Sequence, residues 1–192
     1  MNSICFVTGN SNKLNEVKSL VKNFNIISNI DLNFKGVIPE TKDTLEGNSF
    51  LKSKFINDKF KIDCFSDDSG LFIESLGGEP GVNSARYASS NSDSEENMNL
   101  VLKKLENKTN RNASFETCIC LIINNNIYYF KGSVKGIITP KKFGKRGFGY
   151  DPIFIPKGYS KTFAEMSIDK KNKISHRSIA IKKLVSFLNK LN

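Results

Sequence analysis

Apolar positions along this chain change their period several times, and each change marks an element. Ile4 to Val7 is a short continuous apolar run, followed by the turn-forming Thr8-Gly9-Asn10-Ser11-Asn12. Leu14, Val17, Leu20, Val21 and Phe24 then recur at helical spacing, so the chain opens as strand, turn, helix. Ile26, Ile27 and Ile30 predict a second strand, and Gly36 to Lys42, with Pro39, a loop. A helix is predicted from about Thr44 to Phe60, with Leu45, Phe50, Leu51 and Phe55 as its buried stripe. Ile62 to Ser66 reads as a strand. Ser92 to Leu105 reads as a helix whose first turn carries Asp93, Glu95 and Glu96, where the helix dipole favours acids. Ala113 to Ile123 and Ile127 to Ile138, either side of Asn124-Asn125-Asn126, predict a long hairpin. A last helix opens after Ser175 and puts Ile181, Leu184, Val185, Leu188 and Leu191 on one face. Strands alternate with helices early and pair with each other late, which implies an α/β fold with a mixed sheet.

Four polar segments stand out against this pattern. The strand ending at Ser66 runs straight into Asp67-Asp68-Ser69-Gly70. Burying an unpaired carboxylate costs roughly several kcal/mol, so two acids there point to a hard cation or a general base. A tight turn is the plainer alternative, since Asp, Ser and Gly all favour turns. Glu40 and Lys52 could meet Asp67 and Asp68 at the mouth of one cleft, although surface exposure would explain them equally well. Thr8 to Lys13 puts Gly9 and a helix N-terminus where backbone N–H groups could meet phosphate, with Lys13 as a point charge. It is not a Walker A loop, and taken alone an ordinary strand–helix turn explains it more economically.

Gly147-Phe148-Gly149-Tyr150-Asp151-Pro152 places an aromatic between glycines, able to stack on a base; a glycine-rich turn with core aromatics is the alternative. In Lys171-Asn172-Lys173-Ile174-Ser175-His176-Arg177, a cation at a helix start breaks the dipole rule without visible compensation.

Composition narrows the setting. The chain has 192 residues, 39% of them hydrophobic and 25% charged, enough for a substantial core. Its net charge of +10 suits nucleic acid, an anionic surface or phosphorylated small molecules, although scattered lysines among many asparagines also account for it. Four cysteines without a Cys-x-x-Cys pair are expected to be buried free thiols in a reducing, cytoplasmic compartment. No segment has the length of a secretory apolar region or a membrane span.

Together the segments resemble the inosine triphosphate pyrophosphatase family, enzymes that clear non-standard purine nucleotides. The similar stretches are Thr8–Lys13 with Glu16, Ser66–Leu71, Leu76–Gly81 with Ser84–Tyr87, Phe148–Pro152 and Ser175–Arg177, in the family's order over almost the whole chain. The resemblance implies an elongated mixed sheet with flanking helices, forming two lobes around a central cleft, in one two-lobed domain over residues 1–192. It implies a homodimer and Mg2+-dependent hydrolysis, with Mn2+ as a possible substitute, of ITP, dITP or XTP to the monophosphate and pyrophosphate. It assigns phosphate to Thr8, Gly9, Asn10, Ser11, Asn12 and Lys13, metal to Glu40 and Asp68, and activation of water to Asp68. Lys52 would neutralise phosphate charge. Ser69, Phe148, Gly149, Tyr150, Asp151, Lys171, His176 and Arg177 would hold the nucleotide, mostly its base. The Glu40 match rests on its spacing to Asn48 and Lys52. The extra positive charge of Lys141 to Arg146 has no place in this scheme.

Chemistry adds a specificity argument. Hypoxanthine and xanthine carry a carbonyl at purine position 6, where adenine carries an amino group. Arg177 has only donors, so it can bond the carbonyl but would face the amino group donor to donor. A pyrophosphatase with a different base preference is the alternative, and a basic nucleic-acid-binding protein is a further one. No membrane and no stable nucleic-acid partner are expected.

Overall fold

The computed structural model describes residues 3–21, 24–34 and 36–191. The fold is α/β with a mixed sheet. Strand β1 (Ser3–Val7) leads into helix α1 (Ser11–Leu20), then β2 (Asn25–Ser28), α2 (Leu45–Phe60), β3 (Cys64–Ile73) and β4 (Pro80–Gly81). Helix α3 (Ser94–Lys104), the pair β5 (Asn112–Ile123) and β6 (Asn126–Ile138), β7 (Phe154–Pro156), α4 (Ile168–Ile174) and α5 (His176–Leu191) follow. The strand order is β2-β1-β3-β5-β6-β7, with β4 beside β3. β1 runs parallel to β2 and β3, while β3–β4 and β6–β7 are antiparallel. No helix among the described residues is long and apolar enough to cross a membrane.

Internal contacts group the chain into two compact units: Met1–Asp68 with Thr117–Gly132 and Arg177–Asn192, and Ser69–Glu116 with Ser133–His176. In the first unit, the two faces of β1 and β3 pack differently. Phe6 and Phe65, stacked at 4.8 Å, face Val17 of α1 and Ala180, Ile181 and Leu184 of α5. Cys5, Val7 and Cys64 face Ile56 of α2. The second unit has its own core, with Leu71, Ile73, Val101, Phe115, Phe154 and Phe163 among its members. All four cysteines are buried and free, and burial pushes the Cys5 thiol up to about 12.

Most predicted elements stand where the periodicity put them, and the departures have physical causes. The second strand stops at Ser28, whose N–H and hydroxyl both donate to the Asp31 carboxylate and start a turn. Ile30 therefore lies in the turn, 60% exposed. Helix α1 ends at Leu20, yet Val21 and Phe24 still bury their side chains beyond it. The inward face of α2 is Leu45, Asn48, Ser49, Lys52, Ser53 and Ile56; of the expected stripe Leu45 is buried and Phe55 packs beside Ile56, while Phe50 and Leu51 are half-buried. β3 does not stop before the aspartates but carries them within its ten residues. The hairpin turns on Asn124 and Asn125, both at positive φ, as a two-residue connection requires. Leu191 is exposed at the end of α5. The sequence pattern did not reveal β7 and α4.

Candidate active site

The first unit gathers its charged groups on both faces of β3. Successive side chains on a strand point to opposite faces, so adjacent residues diverge. Asp67 points to the face of α1 and α5, where its carboxylate accepts from Lys13 Nζ at 3.1 Å and from Arg177 Nε at 3.0 Å. Arg177 Nη1 also donates to Glu16 Oε2 at 2.6 Å. Burial opposes the charge on Asp67, but Lys13, Arg177 and Lys52 outweigh it and hold the carboxyl well below the usual range. The Arg177 cation at the start of α5 thus has two buried carboxylates as partners, the compensation that the sequence alone did not show.

Asp68 points to the face of α2. Asn48 Nδ2 donates to its Oδ2 at 3.2 Å, and Lys52 Nζ lies 3.5 Å from its Oδ1. The same Nζ donates to Glu40 Oε1 at 2.6 Å, so one ammonium joins the loop carboxylate to the strand carboxylate. Burial pushes the Asp68 carboxyl up; Lys52 and Lys13 offset this only in part, and Glu40 and Asp67 add to it. Burial disfavours the Lys52 ammonium, yet Asp68, Glu40 and Asp67 together raise its pKa. Glu40, Lys52, Asp67 and Asp68 thus lie within electrostatic reach of one another but on two faces of β3: Lys52 joins Glu40 to Asp68, while Asp67 turns to Lys13 and Arg177 and also feels the Lys52 charge.

The β1–α1 turn is built by its own side chains. Asn10 caps α1 by accepting from the Lys13 backbone N–H at 3.1 Å, and the Asn10 N–H donates to Thr8 Oγ1 at 3.1 Å. Thr8 is buried and its N–H donates to Asn29 Oδ1, while Gly9, Asn10, Ser11 and Asn12 are exposed. A Cβ added at Gly9 would meet nothing within 4 Å, so the approach to this backbone is open.

The second unit holds the remaining candidates. Asp151 Oδ2 accepts from Lys171 Nζ at 2.6 Å and from the Phe148 backbone N–H at 2.9 Å, and both charged residues are buried. The Lys171 ammonium also sits 4.8 Å from the Phe148 ring centre. Gly147, at φ +77°, passes so close to Asp151 that a Cβ would lie 2.0 Å from Oδ2. Phe148 and Gly149 are partly exposed, as is Ser69. Tyr150 packs in the core and donates its hydroxyl to the Ser84 carbonyl at 2.7 Å. His176 is buried and stacked on Phe115, 4.7 Å between ring centres. In the basic segment, Lys142 pairs with Glu95 and Lys141 lies over the Phe143 ring.

Relatives give this arrangement a context. The model of the Ham1 family matches residues 4–187. The chain belongs to the Ham1 family. The resemblance read from the five segments is thereby borne out, and other Ham1 proteins match it from end to end. A Flavobacterium psychrophilum protein named dITP/XTP pyrophosphatase is 46% identical over 185 residues, 96% of this chain and 97% of the relative. The solved structure of the Staphylococcus aureus Ham1 protein is 38% identical with a TM-score of 0.91, covering 100% of both chains. The Coxiella burnetii HAM1 structure is 34% identical with a TM-score of 0.90, covering 99% of this chain and 100% of that one.

Motif reading missed two groups that the structure brings to this Ham1 site. In the sequence Glu16 stands only beside the Thr8–Lys13 motif and Asn48 only as a spacing marker for Glu40. Both occupy inward helical positions otherwise expected to be apolar, which is the signal that could have found them.

Proposed function

We propose that the protein hydrolyses non-standard purine nucleoside triphosphates, ITP, dITP and XTP, to the monophosphate and pyrophosphate, with Mg2+ as cofactor. The observation that carries this reading is the Asp68 carboxylate held between Asn48 and Lys52, with Glu40 on the same ammonium.

The donor set fits Mg2+ of the substrate-bridging kind. Among the described residues no group of three or more His, Cys, Asp or Glu side chains is arranged to hold a metal. Glu40 and Asp68 supply two hard carboxylates, and Mg2+ is commonly bound by one or two carboxylates completed by substrate phosphates and water. When bound, the ion would neutralise phosphate charge and polarise the reacting phosphoryl group. The protein's groups do the rest. Lys13, the exposed backbone of Gly9 to Asn12 and the α1 N-terminus bind phosphate oxygens. Lys52 neutralises charge on them, and Asp68 accepts the proton of the attacking water. Base recognition is assigned to Phe148 by stacking, with Ser69, Gly149, Tyr150, Asp151, Lys171, His176 and Arg177 holding the nucleotide. Because the Tyr150 side chain is committed to the core, its backbone is the part that remains for this role.

The enzyme is read as a cytoplasmic homodimer. Four free cysteines suit a reducing compartment, and exposed Ile137 and Tyr159 offer apolar surface to an interface. A monomer by light scattering would remove the dimer. Product analysis tests the reaction: ITP with Mg2+ should give IMP and pyrophosphate, and excess chelator should stop it. Orthophosphate with IDP, or release that persists in chelator, would overturn the reading.

A further inference from the structure

Asn48 lies in the first turns of α2 and is 4% exposed. Both ends of its amide are engaged. Oδ1 accepts the Lys42 backbone N–H at 2.9 Å, and Nδ2 donates to Asp68 Oδ2 at 3.2 Å. The partners fix the orientation of the amide: a backbone N–H can be met only by the carbonyl oxygen, so the NH2 must face the carboxylate. Lys52 is four residues further along the same helix face and reaches the other oxygen of Asp68, and Glu40 besides. Two side chains one helical turn apart thus grip both oxygens of one carboxylate.

The loop that carries Glu40 is held against the same helix start. A Cβ on Gly47 would lie 2.8 Å from the Lys42 Cβ, so the loop passes where only glycine leaves room. The helix itself does not need Asn48. Thr44 caps it by accepting the Gly47 N–H at 3.0 Å, and the Asn48 N–H already donates to the Thr44 carbonyl at 3.0 Å. Asparagine is a weak helix former, and an apolar residue would suit a position facing a sheet. Its two side-chain bonds are what this position gains by departing from the pattern.

We propose that Asn48 is a positioning residue for the hydrolysis: it orients the Asp68 carboxylate and ties the Glu40 loop to it. The two carboxylates then keep a fixed spacing, which a site for metal and water requires, since a misplacement of about 1 Å can cost 10²-fold. This inference rests on the function proposed above.

The test compares wild type with N48A and with T44A, which loses the helix cap but touches neither carboxylate. For each, kcat and KM for ITP, the melting temperature, and Mn2+ affinity by electron paramagnetic resonance with a non-hydrolysable ITP analogue are measured. N48A should lose at least about tenfold in kcat, or about 1.4 kcal/mol of barrier, with KM within about threefold of wild type. Its Mn2+ affinity should fall severalfold. T44A should melt lower yet keep kcat within about twofold, as expected for a lost cap. If N48A does not fold, N48S, whose hydroxyl is too short to span both partners, carries the same expectation. A kcat within twofold of wild type in N48A, or equal losses in T44A, would overturn the positioning role. Unchanged Mn2+ affinity in N48A would overturn the tie to the Glu40 loop. Wild type without turnover of ITP would instead bring down the proposed function itself.

Discussion

Asp67 and Asp68 are adjacent on β3, yet the pleat sends them to opposite faces and into opposite electrostatic surroundings. Asp67 is 1% exposed and answers two cations, Lys13 and Arg177. Asp68 is 8% exposed and shares the Lys52 ammonium with Glu40. Charge partners win over burial at Asp67 and lose to it at Asp68, so one carboxyl is pushed down and the other up. The lesson is a division of labour on a single strand. One acid is held as an anion that organises Lys13 and Arg177; the other is held less acidic, which suits the proton-accepting role proposed for it.

The comparison can be broken most decisively at Asp68. D68N should lower kcat for ITP by about 10²–10⁴-fold, the range for loss of a general base. Its melting temperature near neutral pH should equal or exceed that of wild type. Folding raises the pKa of this carboxyl, so ionising it costs stability as pH rises above the unfolded value, and asparagine removes that cost. Calorimetry beside a turnover assay checks both halves; an active D68N would end the general-base role.

The next largest effect is expected at Asp67. D67N leaves the half-buried Lys13 and the buried Arg177 with one fewer anion, and breaking a buried group of this kind costs about 3–5 kcal/mol. Urea unfolding should show that loss, and a D67N protein as stable as D68N would erase the distinction between the two faces.

R177K is a gentler probe of the same face. A lysine has one donor head where arginine uses Nε for Asp67 and Nη1 for Glu16, so about 1–3 kcal/mol should be lost. The ratio of ITP to ATP turnover should fall while Mg2+ dependence stays. An unchanged ratio would contradict the role of Arg177 in reading the base.

The smallest effect lies in acid. The pKa of Asp67 is depressed on folding, so its contribution is complete above the unfolded carboxyl value of about 3.9 and is lost as pH falls toward the folded value. Below about pH 4 the wild type should lose up to about 1.4 kcal/mol per pH unit through this group. D67N should show a shallower slope in a pH series of urea titrations, and equal slopes would refute the assignment.

Much of this architecture was legible in the sequence where apolar period and turn chemistry agree. β1, its turn, α1, α3 and the Asn124-Asn125 hairpin all satisfy both signals. Legibility failed where function displaces packing. The inner face of α2 could not be read from apolar spacing because Asn48 and Lys52 occupy it. The aspartates read as the end of a strand because two charges within a buried strand make sense only with their partners, and those come from Lys13, Asn48, Lys52 and Arg177, far away in sequence. Strand β7 and helix α4 were too short to set a period of their own. The family motifs single out the candidate residues, and the fold shows how Lys13, Lys52, Asp67, Asp68 and Arg177 divide between the faces of β3.

Pyrophosphate release from ITP, XTP, GTP and ATP, measured side by side in Mg2+ and in chelator, decides whether the proposed hydrolysis takes place. Metal-dependent release from ITP and XTP should exceed release from ATP by orders of magnitude. Equal release from all four, or none from ITP, would contradict the proposed function.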